Sequence, residues 1–151
     1  MTDLNESLII PNKRAAGINL RAFEKTVLKH WGEPNKIEIE LSKRKKIIYD
    51  NVIFYFNNGK IDQIELNNDY KGKTKDGIKL GSSKSEIENK YGQLIWDGAW
   101  SIDCMPYGMG FDFIAGKKGE KIVTNIFIFE QLTDYVPRLL KTCPLPFSLA
   151  I

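Results

Sequence analysis

Gly77-Ile78-Lys79-Leu80, followed ten residues later by Tyr91-Gly92, has an earlier echo in Gly17-Ile18-Asn19-Leu20 and Trp31-Gly32. The offset is 60 throughout (77−17, 92−32). The residues downstream of each stretch also correspond: Phe54 and Phe56 before Gly59 answer Phe111 and Phe113 before Gly116, and Ile64-x-Leu66 answers Ile126-x-Ile128. A period of this length is the mark of a repeated supersecondary unit. The chain therefore reads as two copies of one unit within a single domain, residues 1–151. Repeat one covers 16–67, a linker 68–76, repeat two 77–130 and a C-terminal extension 131–151.

Within the first copy, Leu20, Phe23, Val27, Leu28 and Trp31 fall on one face of a helix. Asn19 is a candidate cap, and Gly32 with Pro34 ends the helix. Three strand-like runs come next: 37–41, alternating Ile and Leu with Glu38 and Glu40, then 47–56, then 61–66 after an Asn57-Asn58-Gly59-Lys60 turn. The second helix opens with Ser83-Lys84-Ser85-Glu86, a capping box. Ser83 stands where Phe23 stood, which predicts that the first helix begins earlier in its copy than the second. Strands are expected over 94–102, 107–114 and 121–130, and a short helix over 133–141. The fold class is α+β: two tandem helix-strand-strand-strand repeats forming a mainly antiparallel sheet, with the helices on one face.

Composition limits the functional classes. Twenty-two Lys and Arg against 19 Asp and Glu leave a formal charge of +3, too mild to announce a nucleic-acid partner. No stretch approaches the length of apolar chain needed to cross a membrane, and the acidic start does not read as a secretion signal. A cytoplasmic location is expected, with Cys104 and Cys143 as buried thiols. His30 is the only histidine and falls, like its counterpart Lys90, in the last turn of a helix, where a cation or polar donor suits the exposed carbonyls. Gly72-Lys73-Thr74 lacks the upstream glycine of a phosphate loop, because position 67 is Asn. No metal cluster, cofactor motif or catalytic constellation is legible, so the chain is expected not to be an enzyme. The basic run Lys43-Arg44-Lys45-Lys46 reads as a solvated hairpin tip.

Strand parity assigns Val52, Phe54 and Phe56, with Met109, Phe111 and Phe113, to the face beneath the helices. The opposite face would then carry Tyr49, Ile53, Tyr55, Phe127 and Phe129, joined by Trp96 and Trp100. An open sheet face should be polar, and this one is not. Three readings account for it: cover by the C-terminal tail through Leu139, Leu140, Phe147 and Leu149; a homodimer; or a protein partner, for which Trp and Tyr are favoured anchors.

Two tandem units, each opening Gly-Ile-x-Leu and closing its helix with an aromatic and Gly, resemble the repeat of the β-lactamase inhibitor protein fold, and the single unit resembles the SmpA/OmlA lipoproteins. The resemblance covers about residues 16–130. It implies a sheet that grips another protein. A cytosolic version of such a scaffold is similar to bacterial immunity proteins, implying stoichiometric neutralisation of a cognate toxin domain, a nuclease among the candidates. Tyr49, Tyr55, Trp96, Trp100, Asp103, Tyr107, Asp112 and Phe127 are the expected contacts, with Asp103 and Asp112 as electrostatic anchors. The alternative is a single-stranded nucleic-acid or small-ligand binding module that uses the same aromatics and the Lys43 to Lys46 tip.

Overall fold

The computed structural model describes residues 7–91 and 108–130. Trp96, Trp100, Asp103, Tyr107, Cys104 and Cys143, the strand expected over 94–102, the helix expected over 133–141 and the C-terminal tail lie outside the described residues.

The Gly-Ile motif marks a tight turn into the core. Strands β1 (Arg14–Ala15) and β2 (Ile18–Asn19) form a minimal antiparallel hairpin whose two turn residues, Ala16 and Gly17, both have positive φ, 55° and 76°. Such turns match the twist of the flanking strands. Gly17 is also required by space, since a Cβ there would sit 2.8 Å from Nε2 of His30. Ile18 drops into the core, and Leu20 packs against it. Gly77 likewise has a positive φ of 90° and is followed by buried Ile78 and partly buried Leu80.

Helix α1 (Glu24–Trp31) begins after Phe23, later than the Asn19 cap would place it. Arg21, at φ 71°, turns the chain, and its N–H donates to the Ile61 carbonyl while the Ala22 carbonyl accepts from the Ile61 N–H. These sheet contacts hold 21–23 out of the helix and delay its start. Helix α2 (Lys84–Tyr91) obeys the same plan: Gly81 N–H donates to the Val123 carbonyl and Val123 N–H to the Ser82 carbonyl. The expected difference between the two helix starts is therefore corrected, because strand contacts fix both. The capping box forms as read, with Glu86 N–H donating to Ser83 Oγ at 3.1 Å.

Four strands, not three, come after α1: β3 (Lys36–Ile39), β4 (Lys45–Ile48), β5 (Val52–Asn57) and β6 (Lys60–Leu66). The run 47–56 breaks at Asp50-Asn51, where Tyr49 N–H donates to the Val52 carbonyl across a two-residue turn. Strands β7 (Met109–Ala115) and β8 (Lys121–Phe129) complete a six-stranded sheet in the order β3-β4-β5-β6-β8-β7, antiparallel at every junction.

One face of this sheet is the core. Ile47, Phe54, Ile64, Ile128 and Met109 form a row across five strands, and Val52, Leu66, Ile126 and Phe111 the next. All are fully buried, together with Val27 of α1 and Ile87 of α2. The connection 67–76 also joins the core. Tyr70 donates its hydroxyl proton to the Ser7 carbonyl and accepts from Ala16 N–H, while Ile9 N–H donates to the Lys73 carbonyl. Burial pushes the Tyr70 phenol up to about 12.

Candidate functional site

Alternation along the strands defines the other sheet face. Register places Ile53 beside Glu65, Glu65 beside Phe127, and Phe127 beside Gly110, with Tyr55 beside Gln63 and Asn125 beside Asp112 in the flanking rows. Of the expected contacts, Tyr55, Asp112 and Phe127 come together here. Tyr49 does not. The Asp50-Asn51 turn reverses strand parity, so Tyr49 falls on the helix side, its ring centroid 5.3 Å from Trp31 and 6.1 Å from Phe54. Its hydroxyl donates to the Gly32 carbonyl at 2.8 Å, and its placement on the open face is corrected.

Glu65 is the hub of the outer face. Its Oε1 accepts from the Tyr55 hydroxyl at 2.7 Å, and its Oε2 accepts from Asn67 Nδ2 at 3.1 Å and Asn125 Nδ2 at 3.0 Å. Three donors thus occupy both oxygens of one half-buried carboxylate. Burial, then the bond to Glu65, pushes the Tyr55 phenol far above its ordinary range. Asp112 is raised as well, first by burial and then by the negative charge of Glu65, and its Oδ1 is buried without a hydrogen-bond partner. Tyr55 and Phe127 are 9% and 6% exposed, so neither offers a free aromatic surface. The network ties β5, β6 and β8 together on the side away from the helices.

The basic run is equally committed. The Arg44 guanidinium lies 4.6 Å from the Tyr55 ring centroid and pairs with Asp62 at 2.7 Å. Lys45 pairs with Glu24 at 2.7 Å, and Lys46 with Glu40 at 3.2 Å. Arg44, Lys45 and Lys46 thus each have a carboxylate partner, and the run does not assemble a phosphate-binding cluster. Among the described residues no group of three or more His, Cys, Asp and Glu side chains gathers as a metal site. None of the described helices is long and apolar enough to cross a membrane.

Free apolar surface occurs elsewhere, at the β3 end of the sheet. Ile37 is 45% exposed, Ile39 71%, and Leu41, just beyond the strand, is fully exposed. Ile37 and Ile39, paired with Ile47 and Lys45, share the helix-side face, but α1 does not reach over them. An open groove lined by Leu28, Gly32, Pro34 and Ile37 separates the helix from the strand. Residues of β3 were not among the expected contacts. The signal was present in the alternation of Ile37, Ile39 and Leu41 with Glu38 and Glu40, but alternation predicts a half-covered strand and does not say that the covering element stops short.

No family model and no curated protein matches the chain. Among solved structures, a cysteine-rich secretory protein from Staphylococcus aureus subsp. aureus Mu50 is similar over 83% of this chain and 51% of its own, with a TM-score of 0.50 and 13% identity. An extracellular protein containing a SCP domain, from Bacillus anthracis str. Ames, is similar over 84% of this chain and 48% of its own, with a TM-score of 0.48 and 12% identity. The chain spans about half the length of each. At such identity the likeness concerns the fold alone.

The Staphylococcus aureus structure corrects the kinship expected from the Gly-Ile-x-Leu pattern, for it is described as a cysteine-rich secretory protein and not as a β-lactamase inhibitor or a SmpA/OmlA protein. The toxin-immunity function was drawn from that kinship and loses its support. The cytoplasmic expectation is corrected with it, the Staphylococcus aureus protein being described as secretory. The nucleic-acid or small-ligand alternative loses Tyr55 and Phe127, which are buried, and finds Arg44, Lys45 and Lys46 of its basic tip already paired with carboxylates; its tryptophans lie outside the described residues.

Proposed function

We propose that this chain is a non-catalytic interaction module, built from two copies of one helix-and-strand unit, that takes up an extended polypeptide segment along the free edge of β3. The observation that carries this reading is the exposure of Ile37, Ile39 and Leu41 on the edge strand of the sheet and just beyond it. A strand edge with unused backbone groups and an uncovered apolar stripe is what strand addition exploits: the backbone supplies affinity and the alternate side chains specificity.

The two-copy reading has its own support. The helices Glu24–Trp31 and Lys84–Tyr91 are offset by 60 residues (84−24, 91−31). The isolated bridges preceding them, Phe23 with Lys60 and Ser83 with Ile122, correspond at 60 and 62 (83−23, 122−60). In the β6–β8 pairing, Glu65 faces Phe127, its own counterpart at an offset of 62 (127−65), and Ile64 with Leu66 face Ile128 with Ile126. A pairing of this kind is what a local two-fold between duplicated units produces.

A displayed library of extended peptides, selected on the protein and counter-selected on its Ile39→Asp variant, tests the edge. Enrichment of peptides with alternating apolar residues that slow hydrogen exchange at the Ile37 and Ile39 amides is the expected result. Peptides that bind the variant equally well, or that protect amides elsewhere, would remove the reading.

A further inference from the structure

Among peptides that could lie along β3, its own sequence has the right chemistry. We propose that the edge is a self-association site: two copies of the chain pair β3 antiparallel to β3 about a two-fold axis at Glu38, joining their sheets into one. This rests on the edge reading above and names its partner.

The backbone selects the register. Glu40 N–H donates to the Arg44 carbonyl, which makes Glu40 and Arg44 a hydrogen-bonded pair of the β3–β4 ladder. Antiparallel ladders alternate, so Glu38 also directs its backbone groups toward β4. The amides and carbonyls of Ile37 and Ile39 therefore point away from the sheet. An axis at Glu38 sets Ile37 of each copy opposite Ile39 of the other, which uses all of these groups in two hydrogen-bonded pairs and brings four exposed isoleucines together beside the groove.

Neighbouring registers do worse. An axis at Ile37 would require the Asn35 amide opposite Ile39, but that N–H already donates to the Ile48 carbonyl at 2.9 Å. An axis at Ile39 would set Glu38 against Glu40 twice, with no lysine between them.

Charge favours the same register. On the outer face, Lys36 of each copy stands opposite Glu40 of the other, in non-hydrogen-bonded pairs whose side chains approach most closely. Glu38 meets its own copy on the axis, but Lys36 lies 2.7 Å from it within each chain, and Lys46 balances Glu40 at 3.2 Å. Across the junction, Lys36 and Lys46 of both copies match Glu38 and Glu40 of both copies one for one. The short strand makes a small contact, so the expected state is a concentration-dependent monomer–dimer equilibrium.

Sedimentation across a wide range of concentration reads it directly. Lys36→Glu alone and Glu40→Lys alone each place two like-charged pairs across the axis, and each is expected to weaken the dimer about tenfold. Mixing the two variant chains restores two opposite-charge pairs, so the mixture should form a heterodimer about as tight as the unaltered dimer. Both changes lie at exposed or half-exposed positions, and an unchanged melting curve checks that each variant folds. A protein that stays monomeric at every concentration, a dimer indifferent to either variant, or a mixture that does not recover would overturn the proposal. If displayed peptides still protect the Ile37 and Ile39 amides while the chain stays monomeric, self-pairing fails and the edge reading stands. If neither occurs, both fail.

Discussion

The two faces of the sheet are made from alternate residues of the same strands, yet they are stabilised by different physics. Toward the helices, Phe54, Ile64, Leu66, Phe111, Ile126 and Ile128 form a dry layer without a polar side-chain atom. On the far side, Tyr55 and Phe127 are nearly as well buried, but they enclose a carboxylate bound by three donors and a second carboxyl with an unpartnered oxygen. Burial alone does not distinguish the faces; the degree of polar satisfaction does. Packing holds the first, and geometry-dependent hydrogen bonds hold the second, so the two should respond differently to truncation and to pH.

The sharpest test is truncation on the dry face. Phe54→Ala is expected to lower unfolding free energy by about 3–5 kcal/mol, measured by denaturant titration, since it opens a cavity beneath α1 and beside Trp31. Next comes the hub. Glu65→Leu strands the Tyr55 hydroxyl and the amides of Asn67 and Asn125, and should cost about 1–3 kcal/mol despite the added apolar area. A gain in stability instead would show that the outer face is held by packing too. Tyr55→Phe removes one of the three bonds and should cost about 1 kcal/mol. Combined with Glu65→Leu it should be markedly less than additive, which a double-mutant cycle would reveal.

The smallest effect concerns Asp112. Its folded carboxyl is raised above the ordinary value of 3.8, so the folded chain holds a proton that the unfolded chain releases. That contribution is fully present below 3.8 and is lost as pH rises through the folded value. Asp112→Asn should therefore be modestly more stable than the parent at neutral pH, and the advantage should vanish in acid. Parallel thermal melts at about pH 7 and about pH 3 check the sign.

Much of the fold was legible because glycine positions and period-two alternation are local signals. Ser83 with Glu86, the turn after Asn57, and the cores of β6 and β8 needed only neighbours in sequence. What escaped depended on partners far along the chain. The exception is Asp50-Asn51, a two-residue turn between neighbouring strands; missing that local signal moved Tyr49 to the wrong face. Arg21 and Ala22 stay out of the helix because Ile61 lies beside them, which shifted the start of α1. At the site, parity put Tyr55 and Phe127 on one face, where the structure also brings Asp112, but nothing local to Tyr55 announces that Glu65 and Asn125, 10 and 70 residues away (65−55, 125−55), form a network with it. The uncovered β3 edge was hidden for the opposite reason: its sequence is that of an ordinary half-covered strand, and only the reach of α1 decides otherwise.

The Tyr70 hydroxyl, held between the Ser7 carbonyl and the Ala16 amide, has a consequence for the order of events in folding. The hairpins β3–β4, β4–β5 and β5–β6 join near neighbours and can close early, whereas the segment around Ile9 must wait for Lys73 and Thr74, 64 and 65 residues later (73−9, 74−9), before it has anything to pair with. During synthesis it therefore precedes its partners and docks late. In the finished protein the same segment lies outside the six-stranded sheet, so it should detach before β5 or β6 opens and expose the Ile9 amide to exchange earlier.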